Sequence, residues 1–422
     1  MRFLRCLSLL LVSLPSGIAA QAGGSDPHMD MARRVLRDTP LIDGHNDLPW
    51  AIRNFGPAPK AVERYDLGSR TPGHTDLARL RAGMLGGQFW SVYVPGEWAD
   101  SGFARVQLEQ IDIARRLIDR YPGLTLVPTA AGLREEHRAG RIGGMLGMEG
   151  GHVLENSLGA LRTYYVLGAR YMTLTHNVTL DWADAASDEA RHGGLTRFGE
   201  EVVREMNRLG MLVDLSHVSP GTMSDALTVS EAPVIFSHSS ARAIANVVRN
   251  VPDSILRRLP ANGGVVMVTF VPSFISQEVA DHGAERARQA RVLAEQFPGD
   301  SVRQRQGMET WAAAHPTPTA TLSQVADHIE HIRRVAGVAH VGIGGDFDGI
   351  TDVIRGLEDV SSYPRLFAEL ARRGWTEQDL RMLAGENVLR ALERAEQVAA
   401  RLQRERPPST ATIESLDRAP TP

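Results

Sequence analysis

The chain has 422 residues, of which 43% are hydrophobic and 23% charged, values typical of a globular protein that exclude a low-complexity or fibrous one. Its formal net charge of −4 argues against a nucleic-acid partner, because surfaces that bind phosphates carry a basic excess. Lysine occurs once, at Lys60, which removes nearly every candidate for a Schiff-base lysine or a carboxylated-lysine metal bridge.

The first 20 residues have the pattern of a secretory signal peptide. Arg2 and Arg5 give a positive start, Cys6–Leu14 is apolar, and Gly17–Ala20 offers small residues for cleavage. The apolar run is too short to span a bilayer. Its only cysteine, Cys6, lies at the start of the run rather than at its end, so the pattern does not predict a lipoprotein. We expect a secreted or periplasmic protein without disulfides, thiolate ligands or a stable membrane anchor after cleavage.

From residue 21 to about 403, short β-branched and apolar runs alternate with helical patterns such as Phe103–Tyr121 and Leu322–Val335. Eight strands alternating with helices predict a single catalytic domain with an α/β fold, a (β/α)₈ TIM barrel of the metal-dependent hydrolase type. The predicted strands are Thr39–Asp47, Gly87–Val94, Ile142–Glu149, Arg170–His176, Met211–His217, Ala232–His238, Gly264–Val271 and His340–Asp346.

Three segments depart from this plain alternation. A long insertion, about 273–320, follows strand 7 and is rich in Arg and Gln; a lid over the site and a solvated excursion are both compatible with it. His328 and His331, three apart on a predicted helix, are expected on a solvated face. The tail 404–422, with its Pro, Ser and Thr, is expected to be disordered.

Six of the eight predicted strands end in imidazoles and carboxylates. In such barrels the carboxyl ends of the strands form the rim that carries the active site, so these residues should meet there. One buried histidine is more often a hydrogen-bonded core residue than a ligand, but burying so many unpaired polar groups together is costly. The residues at strand ends are His45, Asp47, Glu149, His176, His217, His238 and Asp346.

These residue types in this pattern predict a metal site. His45 and Asp47 are two apart on one strand and so point to the same face, where they can hold one divalent ion. His217 and His238 can hold a second ion, and Glu149 can bridge the two. Ligation by nitrogen and oxygen alone suits Zn²⁺, with Mn²⁺ or Co²⁺ as alternatives.

Two ions about 3.5–4 Å apart would share a water and lower its pKa, giving a metal-bridged hydroxide near neutral pH. Asp346 would then orient that water and pass its proton to the leaving nitrogen. Asp348 is the alternative for this role, but it lies past the end of its strand.

At this point the sequence resembles the renal (membrane) dipeptidase family, a zinc metallopeptidase branch of the amidohydrolase-like barrels. The resemblance runs from about residue 30 to 397. The opening His-x-Asp, rather than the His-x-His common among wider relatives, favours this branch. The motifs that carry the resemblance are Leu41–Trp50, Gly86–Tyr93, Gly147–His152, Leu174–Asn177, Asp214–Ser219, Phe236–Ser240, Arg249–Asp253 and Gly344–Gly349.

The resemblance implies roles for individual residues. His176 would contact the substrate carbonyl and stabilise the oxyanion. Arg249, which sequence alone would assign to a surface salt bridge, would bind the C-terminal carboxylate of the substrate. Asp346 would contact the substrate and transfer the proton. The two zinc ions would be held by His45, Asp47 and Glu149, and by Glu149, His217 and His238.

The resemblance implies a dipeptidase that hydrolyses free dipeptides of L-L and L-D configuration, and it is compatible with a homodimer. It does not extend to the lipid anchor and disulfides of the mammalian enzymes, for which this chain lacks the sequence features. Two alternatives stay open. One is an amidohydrolase for another carboxylate-bearing amide, such as an N-acyl-amino acid or a lactam; the other is a secreted binding protein that keeps the metals without turnover.

Overall fold

The computed structural model describes residues 26–98 and 102–417, in which eight parallel strands close into a barrel. The ring closes because β1 pairs with both β2 and β9, while β4 lies between β2 and β5. A ninth strand, β3, pairs only with the first half of β4 and was not predicted. The strands are β1 (Leu41–Asn46), β2 (Leu85–Ser91), β3 (Leu124–Leu126), β4 (Ile142–Glu149), β5 (Ala169–Thr173), β6 (Leu212–Asp214), β7 (Ile235–Phe236), β8 (Val265–Val268) and β9 (Val341–Ile343).

The predicted (β/α)₈ barrel is confirmed. All eight predicted strands are present, although most are shorter than their apolar runs. Every residue of β1, β2 and β4 is buried, as expected for parallel strands covered on both faces. The signal-peptide prediction falls on residues 1–20, which lie outside the described residues.

Helices surround the barrel and face it with their apolar sides. Several begin with a side chain that accepts a hydrogen bond from the first turn, as Thr321 does in its capping box at the start of α14. No helix of the described residues is long and apolar enough to cross a membrane. The α-helices are α1 (Pro27–Asp38), α2 (Leu48–Arg53), α3 (Leu77–Ala82), α4 (Phe103–Arg120), α5 (Ala130–Arg138), α6 (Leu158–Val166), α7 (Arg197–Leu209), α8 (Pro220–Val229), α9 (Asp253–Leu256), α10 (Leu259–Asn262), α11 (Pro272–Ile275), α12 (Gln277–Gln296), α13 (Ser301–Ala314), α14 (Leu322–Ala336), α15 (Tyr363–Arg372), α16 (Glu377–Arg381), α17 (Asn387–Glu405) and α18 (Ile413–Leu416).

The insertion after β8 consists of α11 and a helical hairpin, α12–α13. Only Val279 and Leu293 of α12 are buried, and α13 buries no residue. The hairpin therefore packs mainly on itself and leaves most of its polar surface in solvent. Its connection to the barrel reaches the catalytic rim through Phe274 of α11, which lines the cavity there.

Two expectations about solvent exposure were wrong. His328 is fully buried and His331 is 8% exposed, because α14 turns this face toward the barrel. His328 Nδ1 accepts a hydrogen bond from the Ala241 amide, and its Nε2 donates to the Ile275 carbonyl. Both ring nitrogens are satisfied, so this histidine is a core residue.

The tail is packed where disorder was expected. Helix α17 extends to Glu405, and Ile413 of α18 is 7% exposed within the core. Asp417 accepts hydrogen bonds from the Thr196 hydroxyl and the Phe198 amide at the start of α7, where a negative charge is favourable. One apolar anchor and one acidic cap thus order a segment whose composition alone suggests disorder. Residues 418–422 lie outside the described part of the chain.

Candidate active site

Polar side chains lie at or just past the carboxyl ends of six barrel strands, on one rim. The strands end at different depths, yet the side chains converge because the barrel is closed. The structure brings together all the strand-end residues that the sequence indicates. They are His45 in β1 and Asp47 after it, Glu149 at the end of β4, His176 after β5, His217 after β6, His238 after β7 and Asp346 after β9.

The carboxylate of Glu149 lies at the centre of this cluster. Its Oε1 is 3.1 Å from His217 Nε2 and 3.4 Å from His238 Nε2. Its Oε2 is 3.5 Å from His45 Nε2 and accepts a hydrogen bond from the Ser91 hydroxyl. The two oxygens face different imidazoles, which is the arrangement that a bridging carboxylate requires.

Each of the three imidazoles is held by its Nδ1, so that its Nε2 points toward the carboxylate. Such a hydrogen bond to the far ring nitrogen is the usual way a protein fixes the orientation and tautomer of a metal-binding histidine. The partners of Nδ1 are Tyr171 OH for His45 at 2.8 Å, Asn177 Oδ1 for His217 at 3.2 Å and Ser237 Oγ for His238 at 2.8 Å.

Tyr171 can reach His45 across the barrel because a glycine stands opposite its ring. A Cβ on Gly147 would lie 2.1 Å from the ring carbon of Tyr171 that carries the hydroxyl. The tyrosine hydroxyl also donates to the Gly44 carbonyl, which leaves it free to accept the Nδ1 proton of His45. Tyr171, inside the barrel, thus orients the imidazole of His45 at the rim.

Several atoms of the cluster need a cation to be satisfied. Asp47 Oδ1 is buried and has no hydrogen-bond partner among the described residues. His45 Nε2 has none either, although it lies 3.1 Å from Asp47 Oδ2 and 3.5 Å from Glu149 Oε2. His217 Nε2 and His238 Nε2 are 2.9 Å apart, so with both Nδ1 atoms protonated their lone pairs would face each other. Positive charge between these groups removes the repulsion, and nitrogen and oxygen donors suit zinc.

The cluster contains three overlapping groups of potential ligands, each with ligand atoms within 4.8 Å of one another. Because the groups share residues, this grouping alone does not divide the ligands between two ions. The groups are His45 with Glu149 and His238, Glu149 with His176 and His217, and His45 with Asp47 and Asp346.

The electrostatics keep Glu149, His217 and His238 in the states that bind metal. Burial raises the pKa of Glu149, but the surrounding imidazoles lower it further, so it lies well below its usual range. Burial, with the Arg249 charge nearby, holds the pKa of His217 well below its ordinary value, and burial does the same for His238. Burial raises the pKa of Asp346 well above its ordinary value. At neutral pH this gives an ionised Glu149 and neutral His217 and His238. Burial lowers the pKa of His45, but Tyr171 and the charges of Asp47 and Glu149 raise it further, so it lies well above its ordinary value until a cation replaces the proton.

Asp346 and Asp348 point to different sides of the rim. Asp346 lines the catalytic cavity, whereas Asp348 accepts a hydrogen bond from the His74 amide behind it. A Cβ on Gly349 would lie 2.3 Å from Asp47 Oδ2 and 2.6 Å from Asp346 Oδ1. Glycine at this position therefore lets the two carboxylates share one space.

Two residues of the site have left-handed backbone conformations. His217 has φ of 67° and Asp346 has φ of 62°, values that side chains other than glycine seldom adopt. Strained backbone of this kind concentrates at functional sites, where the surrounding structure holds it in place. The strain is therefore consistent with a rim shaped for chemistry at these two side chains.

A cavity of about 540 Å³ opens above the cluster, a size suited to a small molecule. Arg249 faces it from the loop after β7, 6% exposed, with Nη1 lacking a partner among the described residues. Burial lowers the pKa of Arg249 to about 10, so it remains charged at neutral pH. Its guanidinium lies over the Phe274 ring at 5.2 Å. A buried, charged guanidinium with a free N–H group can bind an anionic group of a ligand in the cavity.

His176 also lines the cavity. Its Nε2 is 3.8 Å from Glu149 Oε1, and its buried Nδ1 has no hydrogen-bond partner in the described structure. Trp50 and Tyr93 form an aromatic wall beside it, with ring centroids 4.9 Å apart, and Tyr93 lies 4.8 Å from the His176 ring. The rest of the wall is largely aliphatic.

Sequence reasoning missed the residues that orient the ligands. Tyr171 and Asn177 resemble ordinary strand and loop residues, and no spacing rule connects them to a histidine in another strand. Ser237, which precedes His238, carries a weak signal, because a hydroxyl next to a ligand can bond to its ring. The aromatic wall was likewise not predicted.

The sequence model of the family described as membrane dipeptidase (peptidase family M19) matches residues 29–406. The probable dipeptidase PvdM from Pseudomonas aeruginosa is a similar solved structure, with 24% identity, a TM-score of 0.74, and coverage of 89% of this chain and 100% of that one. At that identity the likeness shows the fold alone.

Two other solved structures combine a similar fold with slightly higher identity. A metallopeptidase from Rhodobacter sphaeroides, bound to a phosphinate mimic of the dipeptide L-Ala-D-Ala, has 26% identity and a TM-score of 0.68, with 85% of this chain and 100% of that chain covered. A dipeptidase described as a metallopeptidase of family M19 has 27% identity and a TM-score of 0.68, with 85% and 99% covered.

Proposed function

The chain belongs to the membrane dipeptidase family, peptidase family M19, and from that membership we propose that it hydrolyses free L-L and L-D dipeptides with two zinc ions bound at the rim of its barrel. Membership makes it a metal-dependent hydrolase of peptide bonds with dipeptide substrates. The number and identity of the ions, and the tolerance for a D-residue, are the parts that we propose. The observation that carries the two ions is the convergence of four potential ligands around Glu149 beneath a cavity that also holds Arg249 and Asp346.

We assign the ligands from their placement around Glu149. Two ions fit better than one because each oxygen of Glu149 faces its own imidazoles. Divalent ions held in this way polarise a peptide carbonyl and lower the pKa of water enough to make it a nucleophile near neutral pH. One ion would be held by His45, Asp47 and Glu149, and the other by Glu149, His217 and His238.

Arg249 would orient the substrate by its C-terminal carboxylate. The guanidinium is buried, charged and unpaired at Nη1, and it offers two parallel N–H donors to a carboxylate. A substrate with a free carboxylate would therefore place its scissile bond at a fixed distance from the rim. This requirement supports substrates whose chain ends one residue after the scissile bond.

His176 and Asp346 would act on the scissile bond itself. Burial lowers the pKa of His176, so its neutral ring can donate a hydrogen bond to the carbonyl oxygen as negative charge develops there. Asp346, which lines the cavity beside Asp47, would take a proton from the attacking water and deliver it to the leaving nitrogen. Asp348 faces away from the cavity and is not suited to this step.

The proposal for L-D substrates is supported by a relative. The metallopeptidase from Rhodobacter sphaeroides was solved with a mimic of L-Ala-D-Ala, and it shares 26% identity over 85% of this chain. Hydrolysis of L-Ala-L-Ala, L-Ala-D-Ala and N-acetyl-L-Ala-L-Ala by the purified chain tests the proposal. Activity on the first two and not on the third is expected; preference for the acetylated compound would instead indicate an N-acyl-amino-acid hydrolase.

We also propose that the protein is exported, on the basis of the signal-peptide pattern in residues 1–20. Sequencing the N-terminus of the protein from cell fractions tests this. A mature chain that begins near residue 21 outside the cytoplasm is expected, and an intact Met1 on cytoplasmic protein would contradict it.

A further inference from the structure

Behind the rim, a fully buried carboxylate lies two hydrogen bonds away from a proposed metal ligand. Asp214 is the last residue of β6 and has no solvent exposure. Its Oδ2 accepts hydrogen bonds from the hydroxyls of Ser237, at 2.6 Å, and Thr173, at 2.5 Å. The Ser237 hydroxyl is also 2.8 Å from His238 Nδ1. Burial raises the pKa of Asp214, and the hydrogen bonds that it accepts from the two hydroxyls and two backbone amides act in the opposite direction. These contacts connect a buried carboxylate to the imidazole through a single hydroxyl.

The protons in this relay can be assigned from the donors present. Asp214 Oδ1 accepts from the backbone amides of Ser216 and Ser237, so the carboxylate accepts at both oxygens. The Ser237 hydroxyl has one proton, which goes to Asp214. It can therefore only accept from His238, whose proton lies on Nδ1. The lone pair of His238 is then on Nε2, which faces Glu149 at 3.4 Å.

The other two imidazoles have no such carboxylate behind them. His217 Nδ1 is held by the neutral amide of Asn177, and His45 Nδ1 by the hydroxyl of Tyr171. A carboxylate behind a hydroxyl strengthens the acceptor and so favours one tautomer more firmly than a neutral group does. The His238 side of the site is thus constructed differently from the rest.

We propose that Asp214 and Ser237 are positioning residues that hold His238 in its Nδ1–H tautomer, and that tight binding of the ion ligated by His238 depends on this relay. The inference rests on the proposed function only in requiring a cation at the rim. Neither residue contacts the cavity, so neither is placed to touch a substrate.

Removing the hydroxyl tests the relay. Ser237→Ala should weaken the binding of one zinc equivalent by roughly 10- to 100-fold, the usual effect of losing a group that orients a ligand, and leave the other equivalent unchanged. The assay is titration of the holoenzyme with a chromophoric zinc chelator. Ser237→Thr, which restores a hydroxyl, should recover the affinity. Ser239→Ala is the matched control, because Ser239 is equally buried but its hydroxyl donates to Ser216 and is not part of the relay.

Asp214→Asn provides a sharper test, because it should reverse the relay rather than merely break it. The amide oxygen must occupy the Oδ1 position, which accepts two backbone N–H groups, so the NH₂ faces the Ser237 hydroxyl. That hydroxyl would then accept from Asn and donate to His238 Nδ1, which moves the ring proton to Nε2 and blocks the ligand. Asp214→Asn should therefore lose the ion more completely than Ser237→Ala.

Nitrogen-15 NMR of histidine-labelled protein reports the tautomer directly. In the wild type, His238 should show a protonated Nδ1 and a metal-bound Nε2, and in Asp214→Asn it should show a protonated Nε2 and no bound metal. Wild-type zinc affinity in both variants, with far-ultraviolet circular dichroism showing that they fold, would overturn the proposal, as would an equal loss in Ser239→Ala. If the variants lose zinc as expected but the wild type hydrolyses no dipeptide, the relay stands and the proposed function fails.

Discussion

Replacing Arg249 by methionine should abolish the recognition of the substrate carboxylate while keeping the cavity filled. The guanidinium is 6% exposed and lies against the Phe274 ring, so the apolar methionine side chain has suitable neighbours. Two unit charges 4 Å apart interact by about 4 kcal/mol at an effective dielectric constant of 20. Because a hydrogen bond to a charged group contributes a net ~1.5–3 kcal/mol, we expect kcat/KM for L-Ala-L-Ala to fall by roughly 100-fold.

The assay compares two substrates with two enzymes, as in a double-mutant cycle. Wild-type enzyme should prefer L-Ala-L-Ala over its C-terminal carboxamide by about the same ~100-fold, because the amide removes the same charge pair. The Arg249→Met enzyme should treat the two substrates nearly alike. Activity is followed as release of free alanine.

A matched control removes an arginine from the same loop. Arg242 donates to the carbonyls of Asn250 and Val248 rather than facing the cavity. Arg242→Met should lower stability but keep the wild-type preference for the free carboxylate. If Arg249→Met still discriminates between the acid and the amide as strongly as the wild type, the carboxylate is bound elsewhere and the assignment of Arg249 is wrong.

Three further predictions concern other parts of the molecule. Asp346→Asn should reduce kcat by about 100- to 10,000-fold without a matching rise in KM, since a lost proton transfer affects the reaction more than binding; an unchanged kcat would refute its role. Glu149→Gln should retain less than one equivalent of metal by elemental analysis, because an amide cannot bridge two ions, whereas the exposed Glu155→Gln should keep the wild-type content. Burial lowers the pKa of His328 to about 4 in the folded chain, whereas in the unfolded chain this histidine binds a proton near pH 6.5. Its contribution to stability is therefore fully present above pH 6.5 and is lost as the pH falls below that value. Urea unfolding should lose about 2 kcal/mol between pH 7 and pH 5 at this site, and His328→Gln should lose less; equal losses would contradict the assignment.

The barrel and the rim could be predicted from the sequence because both depend on local patterns. Apolar runs such as Ile142–Glu149 fix the strands, and a polar residue at the end of a run marks the catalytic rim. Closure of the barrel then brings distant residues together without any further information. The pairing of His45 and Asp47 could be predicted because the two residues lie two apart on one strand and so point to the same face.

The rest depends on contacts that local patterns do not record. Tyr171 and Asn177 orient imidazoles from other strands, so their role is visible only when the barrel is closed. His328 was placed in solvent because a histidine on a helix is usually exposed, whereas here the Ala241 amide and the Ile275 carbonyl satisfy both of its nitrogens. The tail was expected to be disordered because it is rich in Pro, Ser and Thr, and its overall composition does not show that one residue, Ile413, is buried in the core.

The most direct test of the account is to purify the full chain without chelator and measure its metal content together with its activity on L-L dipeptides, L-D dipeptides and tripeptides. The account predicts two equivalents of zinc per chain, hydrolysis of both kinds of dipeptide, and no hydrolysis of tripeptides. Only trace metal in an active, folded preparation would contradict its central claim, that the residues around Glu149 form a two-metal catalytic site.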